Sequence, residues 1–326
     1  MSASSSSVPS RAGRPAPPVD ADARSHHYGA FYSLADGPEA DATVVVGNCQ
    51  AESLRVMLDG PALATVRIPA VHELTVDDLP YLRYWLERAA VLVSQPVRAD
   101  YHGMPLGTAQ LASLLPAGGR LVRVPVLRVA GLYPTHAIVR PPSDLSLVPP
   151  VVEYHDLRVL AEAAARLDGR AVGPTGLAGR LDVAAVHAVA DESLEQLRRR
   201  EAANETVVLS DLFLRPSFDQ MRTLNHPGNS VFAAAAGRVR AVLGLPEHVV
   251  DPGRPLLDRV HAPREAAVIE AFGLSDEATD HWVVDGAVVP VEQVREAHLD
   301  WYAAHPDAVA AGLVRHAGAL ATLGLA

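Results

Sequence analysis

The sequence contains no lysine, so all 28 of its basic residues are arginines. A Walker-type phosphate-binding loop needs a lysine, and so do pyridoxal phosphate enzymes and Schiff-base catalysts. The absence of lysine therefore excludes these three classes of enzyme.

Cysteine is almost absent, since Cys49 is the only one in 326 residues. A single thiol excludes an internal disulfide and a cysteine-based zinc cluster, and it is typical of a reducing compartment. The sequence has no apolar run of about 18 residues and no basic-then-apolar secretory signal. We therefore expect a cytoplasmic protein without a membrane span.

Basic residues are also outnumbered, with 38 acidic side chains against 28 and a formal charge of −10. This balance argues against a nucleic-acid-binding protein, which would carry a basic patch. Motifs for other common sites are incomplete. His72-Glu73 lacks the second histidine of a zinc-protease helix because Val76 stands in its place, and we expect no metal site.

Three regions of the chain differ in amino-acid composition and in the secondary structure that they predict. Residues 1–40 are rich in Ser, Pro, Ala and Arg and predict a disordered tail. Residues 41–245 predict an α/β catalytic core with a helical insertion. Residues 246–326 predict a helical C-terminal extension.

Within the core, short apolar runs alternate with helical patterns. Strands are expected at residues 43–46, 64–68, 90–94 and 120–127, with a fifth at 206–209. Apolar runs without strict alternation indicate a short parallel sheet that helices cover on both faces.

The first strand ends in Gly47-Asn48-Cys49-Gln50, directly before a helix. This turn places Cys49 at the carboxyl edge of a parallel sheet, where α/β folds bind their ligands. The amides and partial positive charge of a helix N-terminus stabilise a thiolate and lower the pKa of a cysteine. The Cys49 amide and the side chains of Asn48 and Gln50 are candidate oxyanion donors. We therefore predict that Cys49 is an acyl-transfer nucleophile; the alternative is a buried structural cysteine.

A cysteine nucleophile needs a base, and His226 is the strongest candidate. It precedes Pro227 in a loop rich in turn residues, and a residue before proline is held extended. His155 is the second candidate. Asp156, Asp211 and Asp219 are all candidates for orienting the base.

The segment after the third strand projects onto the same sheet edge as Cys49. It contains Gln95, a candidate hydrogen-bond donor to substrate, and Arg98, which can bind a phosphate or carboxylate through two bonds. A surface ion pair is the competing interpretation of Arg98.

Taken together, these motifs resemble the WcbI family of polysaccharide-biosynthesis enzymes. The resemblance extends over roughly residues 43–240. It rests on Gly-Asn-Cys-Gln at 47–50, Ser-Gln-Pro-Val-Arg at 94–98 with Tyr101, Leu-Gly-Thr at 106–108, Gly-Leu-Tyr-Pro at 131–134 and Asn-His-Pro at 225–227.

The family implies a protein that binds coenzyme A and acetyl-coenzyme A and acetylates a capsular sugar. Its fold would be a three-layer α/β core distantly similar to the Ser/Gly/Asn/His hydrolases. Cys49 would be the nucleophile and His226 its base, with Asn225 beside the substrate. Without lysine, the coenzyme A phosphates would contact arginines and backbone amides; the candidates include Arg98, Arg128 and Arg222, with Tyr101 alongside.

The leading hypothesis is an acetyltransferase that moves an acyl group from coenzyme A to a carbohydrate hydroxyl. A thiol esterase or thioesterase would use the same residues with water as the acceptor. A coenzyme A-binding protein without chemistry is the third alternative, and it predicts a buried Cys49 with an ordinary pKa.

Overall fold

The computed structural model describes residues 13–38, 41–170, 181–248 and 250–326. The chain divides into two compact units. The first comprises Met1–Val126, Asn204–Val208 and Phe232–Gly253. The second comprises Leu127–Ala203, Leu209–Val231 and Arg254–Ala326.

A parallel sheet forms the centre of the first unit. Its strands are β1 (Ala42–Val46), β2 (Thr65–Val66), β3 (Ala89–Ser94) and β4 (Arg120–Arg123), in the order β2-β1-β3-β4. Every residue of β1 is buried, as expected for a central strand that is covered on both faces. The predicted α/β class and parallel sheet are confirmed.

The helices that lie wholly within the first unit are short. They are α1 (Ala23–His27), α2 (Cys49–Leu58), α3 (Leu79–Leu86) and α4 (Thr108–Ala112). The predicted fifth strand at 206–209 is wrong. This segment is irregular chain. It contacts the end of β4 through one backbone hydrogen bond, from the Val207 amide to the Arg123 carbonyl at 2.9 Å.

The predicted disorder of residues 1–40 is wrong for residues 23–38. Phe31 and Tyr32 are 1% and 3% exposed and pack in the core of the first unit. The Tyr32 hydroxyl donates to Asp78 at 2.7 Å, and Arg24 pairs with the same carboxylate at 2.9 Å. The average composition hid these aromatic side chains, which bury enough surface to order the segment. Residues 1–12 and 39–40 of the predicted tail lie outside the described residues.

The second unit contains three small antiparallel sheets. β5 (His136–Ala137) pairs with β6 (His155–Asp156), and β7 (Met221–Thr223) pairs with β8 (His226–Pro227). The third sheet has the order β11-β10-β9 and comprises β9 (Val260–His261), β10 (His281–Val284) and β11 (Ala287–Pro290).

The remaining helices follow residue 156. They are α5 (Leu157–Leu167), α6 (Val183–Asn204), α7 (Asn229–Val242), α8 (Ala266–Phe272), α9 (Val291–Ala304), α10 (Pro306–Arg315) and α11 (Ala317–Thr322). An apolar cluster that includes Leu160, Val309 and Leu320 joins α5 to the C-terminal helices.

The C-terminal region is therefore helix-rich, but it is not the purely helical extension predicted for residues 246–326. The hairpin of β10 and β11 turns at Asp285-Gly286, where φ is 49° and 83°. Asp-Gly between two β-branched runs is a strong hairpin signal, and the surrounding helical periodicity outweighed it in the sequence interpretation.

Candidate functional site

Cys49 is the first residue of α2, directly after the turn that leaves β1. Asn48 caps the helix: its backbone is extended, and its side-chain oxygen accepts the Gln50 amide at 3.0 Å. Cys49 is half-buried. The predicted strand-to-helix turn is present, and its geometry places the sulfur beside the positive end of a helix.

Gln95 holds this turn from the neighbouring strand end. Its Oε1 accepts the Asn48 amide at 2.8 Å, and its Nε2 donates to Gln50 Oε1 at 3.1 Å. Gln95 is only 4% exposed. Both ends of its amide are engaged inside the protein, which favours a supporting role for Gln95 over the direct substrate contact that the sequence suggested.

The approach of Gln95 explains the glycine before Asn48. A Cβ atom on Gly47 would lie 2.3 Å from Gln95 Oε1, well inside van der Waals contact. Only glycine allows this amide to reach the turn. Gly47 is thus a positioning residue for Cys49, acting through Gln95.

The chain beyond Gln95 is braced by Thr108 at the start of α4. Thr108 Oγ1 donates to the Gln95 carbonyl at 3.0 Å and accepts the Val97 amide at 2.9 Å. Arg98 is exposed next to this brace, and its guanidinium lies 6.0 Å from the centre of the Tyr101 ring. Arg98 has no ion pair with any residue that the structure describes, so its charge is available to an anion.

His226 lies in β8 of the second unit, where Tyr154 contacts it. The Tyr154 hydroxyl is 3.2 Å from His226 Nε2 and donates its hydrogen to Asn225 Oδ1 at 2.7 Å. Thr223 Oγ1 donates to the same amide oxygen at 3.2 Å. Because the Tyr154 hydrogen goes to Asn225, the Tyr154 oxygen is an acceptor toward His226, and Nε2 must carry the imidazole proton.

This tautomer makes Nδ1 the basic nitrogen of His226. Nδ1 is buried and has no hydrogen-bond partner among the described residues. Burial lowers the pKa of His226, so the ring is neutral near pH 7. His226 is therefore a neutral imidazole whose unpartnered Nδ1 lone pair is enclosed by the protein.

Among the described residues, neither Asp156 nor Asp219 forms a hydrogen bond with His226, whose Nε2 contacts Tyr154 instead. Asp156 instead pairs with Arg158, with an N–O distance of 2.5 Å. Tyr154 is not evident as a site residue from the sequence, because a tyrosine within an apolar segment is usually a core residue. Its contacts with Asn225 and His226 are tertiary contacts, which no local sequence pattern encodes.

His155, the second candidate base, is structural. It is 0% exposed, its Nε2 donates to the Val139 carbonyl at 3.2 Å, and its Nδ1 contacts the Tyr302 hydroxyl. Burial lowers the pKa of His155 to about 3. A neutral, enclosed imidazole that joins β6 to α9 has no route to a substrate.

The other two arginines predicted to bind phosphate, Arg222 and Arg128, have different surroundings. Arg222 donates to the carbonyls of Pro227 and Leu256 at 3.1 and 2.6 Å, and its Nε pairs with Asp258 at 2.9 Å. Its donors are therefore used to fix the loop that follows His226.

Arg128 lines a cavity of about 620 Å³ in the second unit, with Arg315 and His316 on other parts of the wall. Burial lowers the pKa of Arg128, and the charges of Arg315 and Arg200 lower it further. Arg128 forms no ion pair within the described chain, and the Nε2 atom of His316 is buried without a partner. Two guanidinium groups against one lining carboxylate, Glu192, give the cavity a net positive charge, which suits an anion.

The predicted site residues thus form two groups. Cys49, Asn48, Gln50 and Gln95 are connected in the first unit, with Arg98 and Tyr101 on the same chain segment. His226, Asn225 and Arg222 are connected in the second unit, where Arg128 lines its cavity. Among residues 13–38, 41–170, 181–248 and 250–326 there is no metal-ligand cluster and no helix long and apolar enough to cross a membrane.

Comparisons with known proteins point in one direction. The family model "Polysaccharide biosynthesis enzyme WcbI" matches residues 42–248. A solved structure of WcbI, described as a novel polysaccharide biosynthesis enzyme in its native form without a disulfide bond between coenzyme A and one of its cysteines, has a similar fold. That match has a TM-score of 0.71 at 17% identity and covers 88% of this chain and 99% of that chain. No curated protein matches the sequence.

Proposed function

Because this chain belongs to the WcbI family of polysaccharide biosynthesis enzymes, we propose that it transfers an acetyl group from coenzyme A to a carbohydrate hydroxyl. The observation that carries the proposal is the placement of the only thiol, Cys49, at the N-terminus of α2 in a turn that Gln95 holds rigid. A rigid thiol beside the positive end of a helix is suited to attack a thioester.

The proposed reaction has two steps. His226 Nδ1 takes the Cys49 proton, the sulfur forms a bond to the acetyl carbonyl carbon, and the coenzyme A thiolate leaves with that proton. His226 then takes a proton from the acceptor hydroxyl, whose oxygen attacks the acetyl group on Cys49. The sulfur–carbon bond breaks, and Cys49 recovers the proton from His226.

Three features support this assignment of roles. The positive end of the α2 dipole favours the negative charge that develops on the acetyl oxygen. The Tyr154–Asn225 pair keeps the base in one tautomer. The solved WcbI structure is described with reference to a disulfide between coenzyme A and a cysteine, and Cys49 is the only cysteine that this chain could offer to such a bond.

Coenzyme A also carries phosphates, which need cations in a protein without lysine. Arg128 and Arg315 form one candidate site, and Arg98 beside Tyr101 forms the other. Removing one guanidinium that binds a phosphate should weaken coenzyme A binding by roughly tenfold or more, since a charge-assisted bond is worth about 1.5–3 kcal/mol. Arg128→Gln and Arg98→Gln, compared by calorimetry, identify the site that is used.

Intact-mass analysis tests the covalent route. After brief exposure to acetyl-coenzyme A, the wild-type protein should gain one acetyl group, and Cys49→Ala should gain none. Because the chain has no second cysteine, a thioester adduct can form only at Cys49. Acetyl transfer to a sugar by the Cys49→Ala protein would contradict the covalent route and indicate direct transfer.

The same residues would serve a thioesterase if water were the acceptor. Release of coenzyme A at a rate that does not depend on added sugar would identify hydrolysis. The proposal predicts that release accelerates when an acceptor sugar is added.

A further inference from the structure

A second cavity in the second unit has a charge opposite to that around Arg128. Its volume is about 310 Å³, at the lower end of the range for sites of small ligands. Five carboxylates line it against two guanidinium groups. The carboxylates are Asp156, Glu162, Glu265, Asp280 and Glu292, and the guanidinium groups belong to Arg158 and Arg295.

The ion pairs in this cavity leave hydrogen-bond acceptors unused. Arg158 lies between Asp156 and Glu265, at 2.5 and 2.7 Å, and the pKa of Asp156 is held below its usual value by Arg158 despite burial. Arg295 likewise lies between Glu162 and Glu292, and Asp280 has no arginine partner among the described residues, so its acceptors are largely unused. The wall therefore presents acceptors to its contents, and a ligand rich in hydroxyl or ammonium donors would satisfy them.

Stacked rings form another part of the wall. His136 and Trp282 are nearly parallel with ring centres 4.9 Å apart, and Tyr154 is nearly parallel to Trp282 at 6.0 Å. Burial lowers the pKa of His136 to about 4, so its ring is neutral, and its buried Nδ1 has no partner among the described residues. Apolar ring surface beside unused polar atoms suits the two faces of a sugar, one of C–H groups and one of hydroxyls.

The location of the cavity connects it to the proposed base. The Tyr154 ring lines it, and the hydroxyl of Tyr154 contacts His226. His136 lines both this cavity and the one around Arg128. Ten of its sixteen lining residues come from residues 263–298, beyond the end of the family match at residue 248.

From these observations we infer that the acidic cavity is a subsite for one sugar unit of the acceptor, and that this unit is neutral or carries an ammonium group. Its role as the acceptor subsite rests on the proposed function. The carboxylates repel the phosphates of coenzyme A and the carboxylate of a uronic acid, whereas the Arg128 cavity attracts them. The charges of the two cavities, which share His136 as a lining residue, thus favour coenzyme A in the Arg128 cavity and the sugar in the acidic cavity.

The test is binding of three methyl glycosides to the full chain, measured by ligand-observed NMR without any thioester present. Methyl glucosaminide should bind most tightly, methyl glucoside next and methyl glucuronide least. Increasing salt should weaken the binding of the amino sugar only, because screening acts on its charge.

A charge reversal on the rim tests the location. Glu292 is 60% exposed at its side chain and lines the cavity, whereas Glu296 is an exposed residue of the same helix outside it. Glu292→Arg should weaken methyl glucosaminide binding about tenfold or more, and Glu296→Arg should leave it unchanged. Equal binding by the two variants, or tightest binding of the glucuronide, would overturn the inference.

The outcome is separable from that of the proposed function. Coenzyme A binding by the same preparations is measured by thermal shift. Sugar binding that is lost in Glu292→Arg while no form binds coenzyme A would support the subsite and contradict the proposed transferase. Coenzyme A binding without any glycoside binding would contradict the subsite alone.

Discussion

At the residue scale, the least expected feature is the partner of His226. A base in a nucleophile–base pair is usually oriented by a carboxylate, but here a tyrosine hydroxyl, itself held by Asn225, contacts Nε2. A neutral partner fixes the tautomer without raising the basicity of the ring. This fits a base whose pKa is already lowered by burial.

Replacing Tyr154 by phenylalanine should lower kcat by roughly ten- to a hundredfold, the usual cost of losing an orienting contact. The ring would remain, but Nε2 would lose its acceptor, and the tautomer with the proton on Nδ1 would become populated. Steady-state kinetics measures the effect, with the KM for acetyl-coenzyme A expected to change little.

Tyr133→Phe is the matched control. Tyr133 is buried in the same unit and donates to the Met221 carbonyl at 2.8 Å. It should cost stability without lowering kcat. Equal kcat losses in both variants would show that Tyr154 acts only by supporting the fold.

The pH dependence of the reaction follows from the same imidazole. A base must be neutral, and the pKa of His226 lies below its usual value of about 6.5 because of burial. The acid limb of kcat/KM should therefore fall below about pH 6.5. An acid limb above pH 7 would exclude His226 as the base.

At the element scale, the turn between β1 and α2 was predictable and its support was not. The run from Val44 to Gly47 predicts a buried strand that ends in a turn. The side-chain amides of Asn48 and Gln50 beside Cys49 are typical of a helix start. The contact from Gln95 depends on β3 lying beside β1 in parallel register, from Thr43↔Val91 to Val46↔Ser94. Sequence places Gln95 at a strand end, but it does not show that its amide points inward.

The same limit applies to the parts that the sequence analysis misplaced. Tyr28, Phe31 and Tyr32 order a segment whose average composition indicates disorder, because a few large aromatic side chains outweigh many small polar ones. The hairpin at Asp285-Gly286 carried a local signal that could have been used. The Tyr154–His226 contact carried none, since 72 residues separate the partners.

Gly47→Ala tests the turn as an element. The new Cβ would displace Gln95 and break its bonds to Asn48 and Gln50, at a cost of about 1–3 kcal/mol in the free energy of unfolding. Cys49 should also become less reactive as the turn loosens. Urea denaturation and thiol labelling measure the two effects.

Gly237→Ala is the control for this substitution. Gly237 lies within α7, and a Cβ there would meet nothing within 4 Å. Alanine should stabilise this helix by up to about 1 kcal/mol. A Gly47→Ala protein as stable and as reactive as the wild type would show that the Gln95 contact is dispensable.

At the scale of the whole molecule, acid should destabilise the protein through its buried histidines. Burial lowers the pKa of His155 to about 3 and that of His136 to about 4, whereas both rings take up protons near pH 6.5 when the chain unfolds. The unfolded state therefore binds more protons below about pH 6.5, and the free energy of unfolding falls as the pH decreases from there toward 4.

Denaturation in urea at pH 7.5 and pH 5 measures this loss, which should amount to a few kcal/mol. Both folded-state pKa values lie below 5, so His155 and His136 should contribute about equally, and His155→Gln is expected to be less stable at pH 7.5 but to lose less stability on acidification. His27→Gln, at an exposed residue of α1, should behave like the wild type. A wild-type protein equally stable at both pH values would contradict the neutral state of these buried rings.

Binding of the thioester substrate should also stabilise the whole chain. Coenzyme A at about a hundred times its dissociation constant would add about 2.7 kcal/mol to the free energy of unfolding. A thermal-shift series with coenzyme A and with acetyl-coenzyme A should therefore show a concentration-dependent rise in Tm. No rise with either compound would contradict the proposed function.

The central claim is that Cys49 and His226 act on one another, although they lie in different units of the chain. The rate of alkylation of Cys49 by iodoacetamide, followed against pH, tests it directly because no other thiol is present. We predict that at pH 7 Cys49 is alkylated faster in the wild type than in His226→Gln, because the neutral imidazole takes up the thiol proton as the bond to sulfur forms. Equal rates in the two proteins at every pH would contradict the account.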